Sequence, residues 1–583
     1  MTPGETPPPA PPQPEIPALE ATLQDSALSD VGREDGSAGN KPDSLVSQAR
    51  QALGERRLEA AAQLCHAALE IDETHALAWH VLAVVHEVRK DFPTALSCYQ
   101  AALKLLPDDP RIVLNLSRLA MTMGMSEVAE KLIRKLLISD PENPEAINKL
   151  AIALSAQDRR TEAITLLRDF LERQNGHPKL LNNLGSLVAD SGDLETANIL
   201  FSEALRLSPD LVAAAYNLGD NLLVRGRTAE ALRRIEAAVA AGPPPEDRPA
   251  MVFARGLANL ALGDLEAGWR DYEARNDPNW PGHIRNLRDE PLWRPGESLQ
   301  GRRLLVLGEQ GLGDEVLFAS LIPDVIEQVG PEGSVILAVE PRLVSLMART
   351  FPTVRVMPHC AGDLGGHRVR IVPGLPKGEC DHWTPIASLL QTLRPDVRAF
   401  AGRGGYLKAD PGRVDHWRNV LAQAPPGLRI GLLWKSASQS RGRARSFAEF
   451  DAWAPVLRTR GATFVNLQYG DCAPEIRIAQ ERFGARIWTP PGIDLMQDLD
   501  EVTALASALD LTVAFANATF NLAAATGAPA WLIASKGAWT TLGTRAYPWY
   551  PQVRLYQPGA YADWAPVLAR VAKDLKAVLG ART

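Results

Sequence analysis

The sequence predicts a two-part molecule, an all-α N-terminal solenoid of helix hairpins followed by a C-terminal α/β half built on two parallel sheets. Three observations lead there. Small residues recur every 34 positions, at Ala61, Ala95, Ala129, Ala163, Ala197 and Ala231, the mark of a stacked repeat. From Arg302 onward, short β-branched runs alternate with segments of helical period, the pattern of βαβ units. A Gly/Pro-rich interval, AGRGGYLKADPGR with AQAPPG, then divides the second half in two.

Residues 1–41 open with MTPGETPPPAPPQPEIP. Rich in proline and acidic residues and poor in aromatics, they lack the apolar surface to offset chain entropy and are expected to form a disordered tail. The segment has neither a basic n-region nor an apolar h-region, so no secretory signal is expected. No run of the 583 residues approaches the ~18 apolar positions that span a bilayer, which points to the cytoplasm. A net charge of -7 speaks against nucleic acid as a partner. The five cysteines (Cys65, Cys98, Cys360, Cys380, Cys472) lie far apart and form no metal-ligand spacing, so they read as reduced thiols and no metal is expected.

Residues 42–282 carry the repeat. Pro107, Pro141, Pro209 and Pro243 fall in the same frame, each placed to end a second helix. Turns such as Gly192-Asp193 and Gly226-Arg227 separate two apolar stripes, giving about seven antiparallel helix pairs with degenerate ends. In the frame that starts a unit at Pro178, Asn115, Asn183 and Asn217 all occupy the sixth position of the first helix. An inward-facing amide there can give and accept a hydrogen bond to an extended peptide, although a polar groove residue can equally be solvated.

The α/β half divides into 283–410 and 411–583. Strand candidates are RRLLVLGE, SVILAVEP, RIGLLWK, TFVNLQY, LTVAFAN and APAWLIA; helix candidates include EVLFASLIPDVIEQV, RLVSLMARTF, FAEFDAWAPVLRT and EVTALASAL. Ligands of such folds bind outside the carboxyl ends of the strands, and three motifs fall there. In LVLGEQGLGDEVLF, Gly311 and Gly313 allow a tight turn, and Asp314 stands where a helix begins, either as its cap or as a catalytic base. The motif lacks the third glycine of a dinucleotide fingerprint and the lysine of a P-loop. In RIGLLWKSASQSRGRARSF, Lys435 and Ser436 follow a strand and Arg441, Arg443 and Arg445 follow them, cations suited to neutralising a phosphate leaving group. In LTVAFANATFNLAAATGAPAWLI, Asn517, Ala518, Thr519 and Asn521 open a helix whose N–H groups suit phosphate. His382 follows a strand and is a second catalytic candidate. Asp498 to Asp500 read as a helix cap, and Trp539, Trp549 and Tyr550 as core more readily than site lining.

The repeat positions Trp79, Leu82, Tyr99, Ala102 and Pro107, and Leu184, Gly185, Ala197, Phe201, Ala204 and Pro209, resemble the tetratricopeptide consensus. EQGLGDEVLF, preceded by an LW..GE.L.GR approach and by GDLEAGWRDYEAR, resembles bacterial tetratricopeptide-repeat (TPR) proteins with a heptosyltransferase-like glycosyltransferase domain, over nearly all of residues 42–580. The resemblance implies a TPR solenoid joined to a GT-B fold of two Rossmann-like subdomains. It also implies a nucleotide-sugar donor without cofactor, and Asp314 as the base acting on the acceptor. Where heptosyltransferases have Asp-Thr and then His-Leu-Ala, this chain has Ala516, Asn517 and Asn521. NATFNLAAATGAPAW with AWTTLGTRAYPWYPQVRLY looks closer to the alphaproteobacterial flagellin-glycosylation subgroup, which implies flagellin as acceptor and a donor such as CMP-pseudaminic acid. Two alternatives stay open: a catalytically inactive TPR adaptor or chaperone, and a glycan-directed transferase.

Overall fold

Asparagine, aspartate and proline punctuate the first half so densely that its helices could hardly start elsewhere. Asp91, Asn143 and Asp193 each accept a backbone N–H of the turn they cap, and Pro110, Pro144 and Pro178 stand at the first helical position, where a missing N–H costs nothing. The computed structural model describes residues 41–581 apart from 281, 365–366, 401–403 and 437–446. It divides into two compact units, with the boundary between Leu218 and Gly219.

The first unit is a run of helix hairpins: α1 (Lys41–Gly54) with α2 (Leu58–Ile71), α3 (Ala76–Val88) with α4 (Phe92–Leu105), α5 (Pro110–Thr122) with α6 (Ser126–Ser139), α7 (Pro144–Ala156) with α8 (Arg160–Arg173), and α9 (Pro178–Ser191) with α10 (Leu194–Leu207). Helix α11 (Val212–Val224) crosses the boundary. The 34-residue period has a direct cause. Ala61, Ala95, Ala129, Ala163 and Ala197 are each the fourth residue of a second helix and each is 0% exposed, because two helix backbones meet there and leave room for a methyl group alone.

The second unit begins with the rest of α11, then α12 (Thr228–Ala240), α13 (Arg248–Leu262) and α14 (Leu265–Tyr272). Ala231 continues the alanine series at 0% exposed. In α14 the same place holds Gly268, where a Cβ would lie 2.6 Å from Leu260. Three sheets follow. β1 (Arg285–Asn286), β6 (His367–Ile371) and β5 (Cys360–Leu364) form a small one, with β5 and β6 antiparallel. β4 (Arg355–Pro358), β3 (Ser334–Val339), β2 (Arg303–Leu307) and β7 (His382–Pro385) form a four-stranded parallel sheet in that order. A six-stranded parallel sheet runs β10 (Ile487–Trp488), β9 (Ala462–Asn466), β8 (Leu428–Leu433), β11 (Leu511–Phe515), β12 (Ala530–Ile533), β13 (Arg554–Tyr556).

All six strand candidates of the sequence are strands, β2, β3, β8, β9, β11 and β12. They were legible because both faces are covered: Leu304 and Val306 point into one core cluster, Leu305 and Leu307 into another, so the strand reads as a continuous apolar run. The remaining α-helices among the described residues are α15 (Leu312–Phe318), α16 (Ile322–Val329), α17 (Val344–Thr350), α18 (Leu390–Leu393), α19 (Pro411–Leu421), α20 (Ala454–Leu457), α21 (Ala473–Phe483), α22 (Leu499–Ala508), α23 (Ala518–Ala525) and α24 (Trp564–Gly580). The segment expected as one helix over EVLFASLIPDVIEQV starts earlier, at Leu312, and breaks at a 3-10 turn over Ala319–Leu321. Pro323, which has no N–H to donate, opens the second piece.

The last hairpin is part of the α/β core. Leu260, Leu265, Trp269 and Tyr272 share a cluster with Leu304 and Val306. Trp269 Nε1 donates to Arg394 O at 2.8 Å and its ring meets Trp539 edge-on. Trp549 and Tyr550 are buried in the same cluster, so these aromatics are core.

Candidate functional site

The apolar run of β2 ends at Leu307, and the chain there turns through the glycine-rich motif into α15. Gly308 lies beneath the Glu315 carboxylate, 2.5 Å from where its Cβ would be. Glu309 is buried and accepts from Arg275 Nε at 2.9 Å, Arg275 Nη2 at 2.7 Å and Ala387 N at 2.9 Å. Gln310 takes the left-handed conformation, φ 68°. Gly311 is extended, φ -144° and ψ 169°, a geometry open to any residue, so the tight turn expected of Gly311 is made one residue earlier. Gly313 matters for its size: a Cβ there would stand 3.2 Å from Ala518 N and 3.3 Å from Ala518 Cα.

Asp314 is the third residue of α15 and Gly311 the cap, so Asp314 is not the N-cap; its charge suits the first turn of the helix. It is half-buried. Burial pushes the phenols of Tyr272 and Tyr547 up, and the negative charge of Asp314 adds to the effect at both, opposed by Arg275 at Tyr272 and by a hydrogen bond from Thr540 at Tyr547.

On the six-stranded sheet, β11 ends at Phe515 and Asn517 caps α23, its Oδ1 accepting from Phe520 N at 2.9 Å. One turn on, Asn521 Nδ2 donates to Gly313 O at 2.8 Å. The structure thus brings Gly311, Gly313 and Asp314 together with Asn517, Ala518, Thr519 and Asn521, and Thr519 is buried. Asn517 Nδ2 and Asn521 Oδ1 are enclosed without a partner among the described residues.

Lys435 and Ser436 follow the carboxyl end of β8, where Gln468 Oε1 accepts from Trp434 N at 3.1 Å and Lys435 N at 2.9 Å. Lys435 is not the free cation the sequence suggests. Its ammonium pairs with Glu475 and donates to Asp471 O at 2.8 Å. Ser436 is buried. Arg441, Arg443 and Arg445 lie outside the described residues.

His382 is not brought to Asp314. It opens β7 opposite Leu304, at the amino end of β2, about 10 Å of strand from the carboxyl edge. The histidine that does reach the motif is His359, whose Nε2 lies 2.7 Å from Glu315 Oε1, while Glu315 Oε2 accepts from Glu340 N at 2.8 Å. Glu309, Glu315, His359 and Arg275 were not singled out from the sequence; two acids flanking one glycine turn were the available signal. Asp498 stands at the N-cap position of α22, but its carboxylate accepts from Asp494 N at 3.1 Å rather than from the helix, while Asp500 pairs with Arg349.

The groove asparagines are already engaged. Asn115 Nδ2 bonds His80 Nε2 at 2.9 Å, Asn183 Nδ2 donates to Asn148 Oδ1 at 2.5 Å, and Asn217 Nδ2 donates to Asn182 Oδ1 at 2.9 Å and Ser186 Oγ at 3.2 Å. Each sixth-position amide thereby ties its first helix to the fifth position of the preceding one.

A cavity of about 820 Å³ opens at the opposite edge of the six-stranded sheet, lined by Arg429, Arg458, Arg460 and Lys576 with Asp510. Among the described residues no group of three or more His, Cys, Asp or Glu is placed to hold a metal ion, and no helix is long and apolar enough to cross a membrane.

Residues 46–110, 148–212 and 216–282 match the family model described as Tetratricopeptide repeat. Protein FlbA of Caulobacter vibrioides is 42% identical over 532 residues, 91% of this chain and 89% of FlbA. The chain belongs to the FlbA family. Shorter likenesses reach human Protein O-mannosyl-transferase TMTC1, 31% identical over 25% of this chain and 17% of that protein, and mouse Tetratricopeptide repeat protein 21A, 31% identical over 21% and 9%. A solved tetratricopeptide repeat protein from Parabacteroides merdae covers 40% of the chain and 92% of its own length, at 19% identity and a TM-score of 0.34.

Proposed function

We propose that this protein is a glycosyltransferase of GT-B type that moves a sugar from a nucleotide-activated donor to a Ser or Thr hydroxyl of a protein held by its repeats. The observation that carries the reading is the meeting of two strand-end turns from two parallel sheets at one place, Asn521 on Gly313, with Asp314 beside them. Ligands bind at such carboxyl edges. The acceptor oxygen attacks the anomeric carbon and Asp314 takes its proton. The bond from sugar to phosphate breaks, and the nucleotide leaves with the electron pair. Gly311, Gly313, Asn517, Ala518, Thr519 and Asn521 border the donor. Arg441, Arg443 and Arg445 neutralise its phosphate, with no metal required, and Lys435 adds its charge only on parting from Glu475.

The flagellin acceptor and a nonulosonic-acid donor such as CMP-pseudaminic acid rest on the resemblance of residues 517–531 and 538–556 to the flagellin-glycosylation subgroup. The name of the TMTC1 relative points to protein glycosylation as well, through 17% of its length. A second reading, an adaptor without catalysis, is favoured by the Lys435–Glu475 pair, which leaves that cation already neutralised. Calorimetry with CMP and UDP in EDTA tests donor binding, and intact-mass analysis of flagellin from cells with and without the gene tests transfer. Binding only with a divalent ion would overturn the metal-free assignment, and an unchanged flagellin mass would favour the adaptor.

A further inference from the structure

The amino ends of β8, β9 and β11 lie on the side of the six-stranded sheet away from Lys435 and Asn517. Arg429 is the second residue of β8, Asp510 stands just before β11, and Arg458 and Arg460 belong to the turn between α20 and β9. With Lys576, near the end of α24, they line the cavity of about 820 Å³. Leu428 and Leu579 add an apolar wall. β8 is 6 residues long, so about 20 Å of strand separates this cavity from the carboxyl edge.

Four cations meet one carboxylate in that lining. Asp510 is engaged by the backbone: its Oδ2 accepts from Arg429 N at 2.9 Å, and its own N donates to Arg429 O at 3.0 Å. Arg429 Nε donates to Leu421 O at 3.2 Å. The Arg458 guanidinium lies 5.5 Å from the Phe483 ring centroid and donates to Arg482 O at 3.4 Å. Carbonyls and a ring carry no neutralising charge. Arg460 and Lys576 are exposed, and among the described residues no hydrogen bond or ion pair engages either. In the same half of the chain, Arg413, Arg482 and Arg554 each meet a carboxylate. The C-terminus of α24 offsets only about half a unit charge. In a protein of net charge -7, a positive surplus gathered in one concavity concentrates anions there.

We propose that this cavity is a second ligand site, which binds a small organic molecule through a diphosphate group. A single carboxylate would leave most of the positive surplus in place, and a phosphate ion would fill only a small part of the volume. Guanidinium forks match phosphate oxygens two at a time, and the leucine wall takes the organic part. A nucleic-acid strand fits badly, because the cations share one hollow instead of forming a stripe along the surface. The strand length between the two edges keeps this ligand from competing with one at the Asn517 turn. The inference therefore stands whether or not the transferase reading does.

The test is calorimetry on the full chain in EDTA, with pyrophosphate, inorganic phosphate and CMP as probes. Pyrophosphate is expected to bind at least about tenfold more tightly than phosphate. The double variant Arg460→Ser/Lys576→Ser is expected to weaken it by about tenfold or more and to leave CMP affinity unchanged. Arg477→Ser/Arg486→Ser removes the same charge from exposed positions outside the cavity and is expected to change nothing. Bound pyrophosphate should also slow hydrogen exchange at residues 427–429 and 576–580. No binding of pyrophosphate, binding no tighter than that of phosphate, binding that survives in the first variant, or an equal loss in the second overturns the proposal. Displacement of pyrophosphate by CMP overturns it too, by moving the anion to the donor turn. Should the first variant melt below the wild type, Lys576→Met alone, at an exposed position, is held to the same criteria. Failure to bind CMP removes the nucleotide-donor reading and leaves the pyrophosphate comparison to decide this one.

Discussion

At the scale of single residues, Asp314 and His80 make opposite demands on charge. As the proposed base, Asp314 acts through its negative charge, beside buried phenols whose deprotonation that charge opposes. Replacing it by Asn keeps the shape of the first turn of α15 while removing the base. Donor affinity should hold, and transfer should fall by about a hundredfold to ten-thousandfold; full turnover would leave Asp314 a helix-dipole residue. His80 must stay neutral, because burial lowers its pKa from 6.5 to about 4 while its ring bonds Asn115. The unfolded chain takes up this proton first as the pH drops. Stability is therefore complete above pH 6.5 and declines until about pH 4, by about 3 kcal/mol at 1.36 kcal/mol per pH unit. Hydrogen exchange in α3 and α5 between pH 4 and 7 should show that slope, and His80→Gln should flatten it. An unaltered slope would assign it to the carboxylates.

At the scale of elements, the asparagine row illustrates how a groove residue becomes a joint. The spacing of Asn115, Asn183 and Asn217 was visible in the chain, and a peptide-reading role was reasonable for an inward row. What spacing could not show is the partner, since His80, Asn148 and Asn182 lie 35 positions back and face the row only once the hairpins stack. At the intervening joint the same positions hold Lys149 and Leu114, which cannot pair this way. Changing the three asparagines together to Ala should cost the solenoid about 0.5 to 1.5 kcal/mol at each joint. A fall in melting temperature accompanied by reduced acceptor capture would mark them as joints. Reduced capture at unchanged stability would restore the peptide-reading role.

At the scale of the molecule, the break between solenoid and α/β half does not coincide with the end of the repeat pattern. Residues 283–581 alone would lose Trp269 and Tyr272 from the core around Trp539, and would leave Glu309 buried without Arg275, a loss of about 3 to 5 kcal/mol for the broken pair alone. We expect that fragment to be unfolded or aggregated, and residues 209–581, which keep α11 to α14, to melt cooperatively and bind donor. Circular dichroism and CMP titration of the two fragments decide the matter; a stable 283–581 would return the boundary to the end of the repeats.

The sequence by itself determined the elements with a strict period. Alanines 34 apart fixed the hairpins, because close-packed backbones admit one methyl group, and continuous apolar runs fixed the strands covered on both faces. It also pointed to the two turns that meet at Asn521 and Gly313. Only the tertiary structure decided which charges are spent and which are not. Lys435, just past a strand, meets Glu475 from 40 residues away, whereas Arg370, buried on β6, meets no anion among the described residues. Such pairings depend on separations no local pattern encodes, and burial, which sets their energy, exists only when the chain is folded.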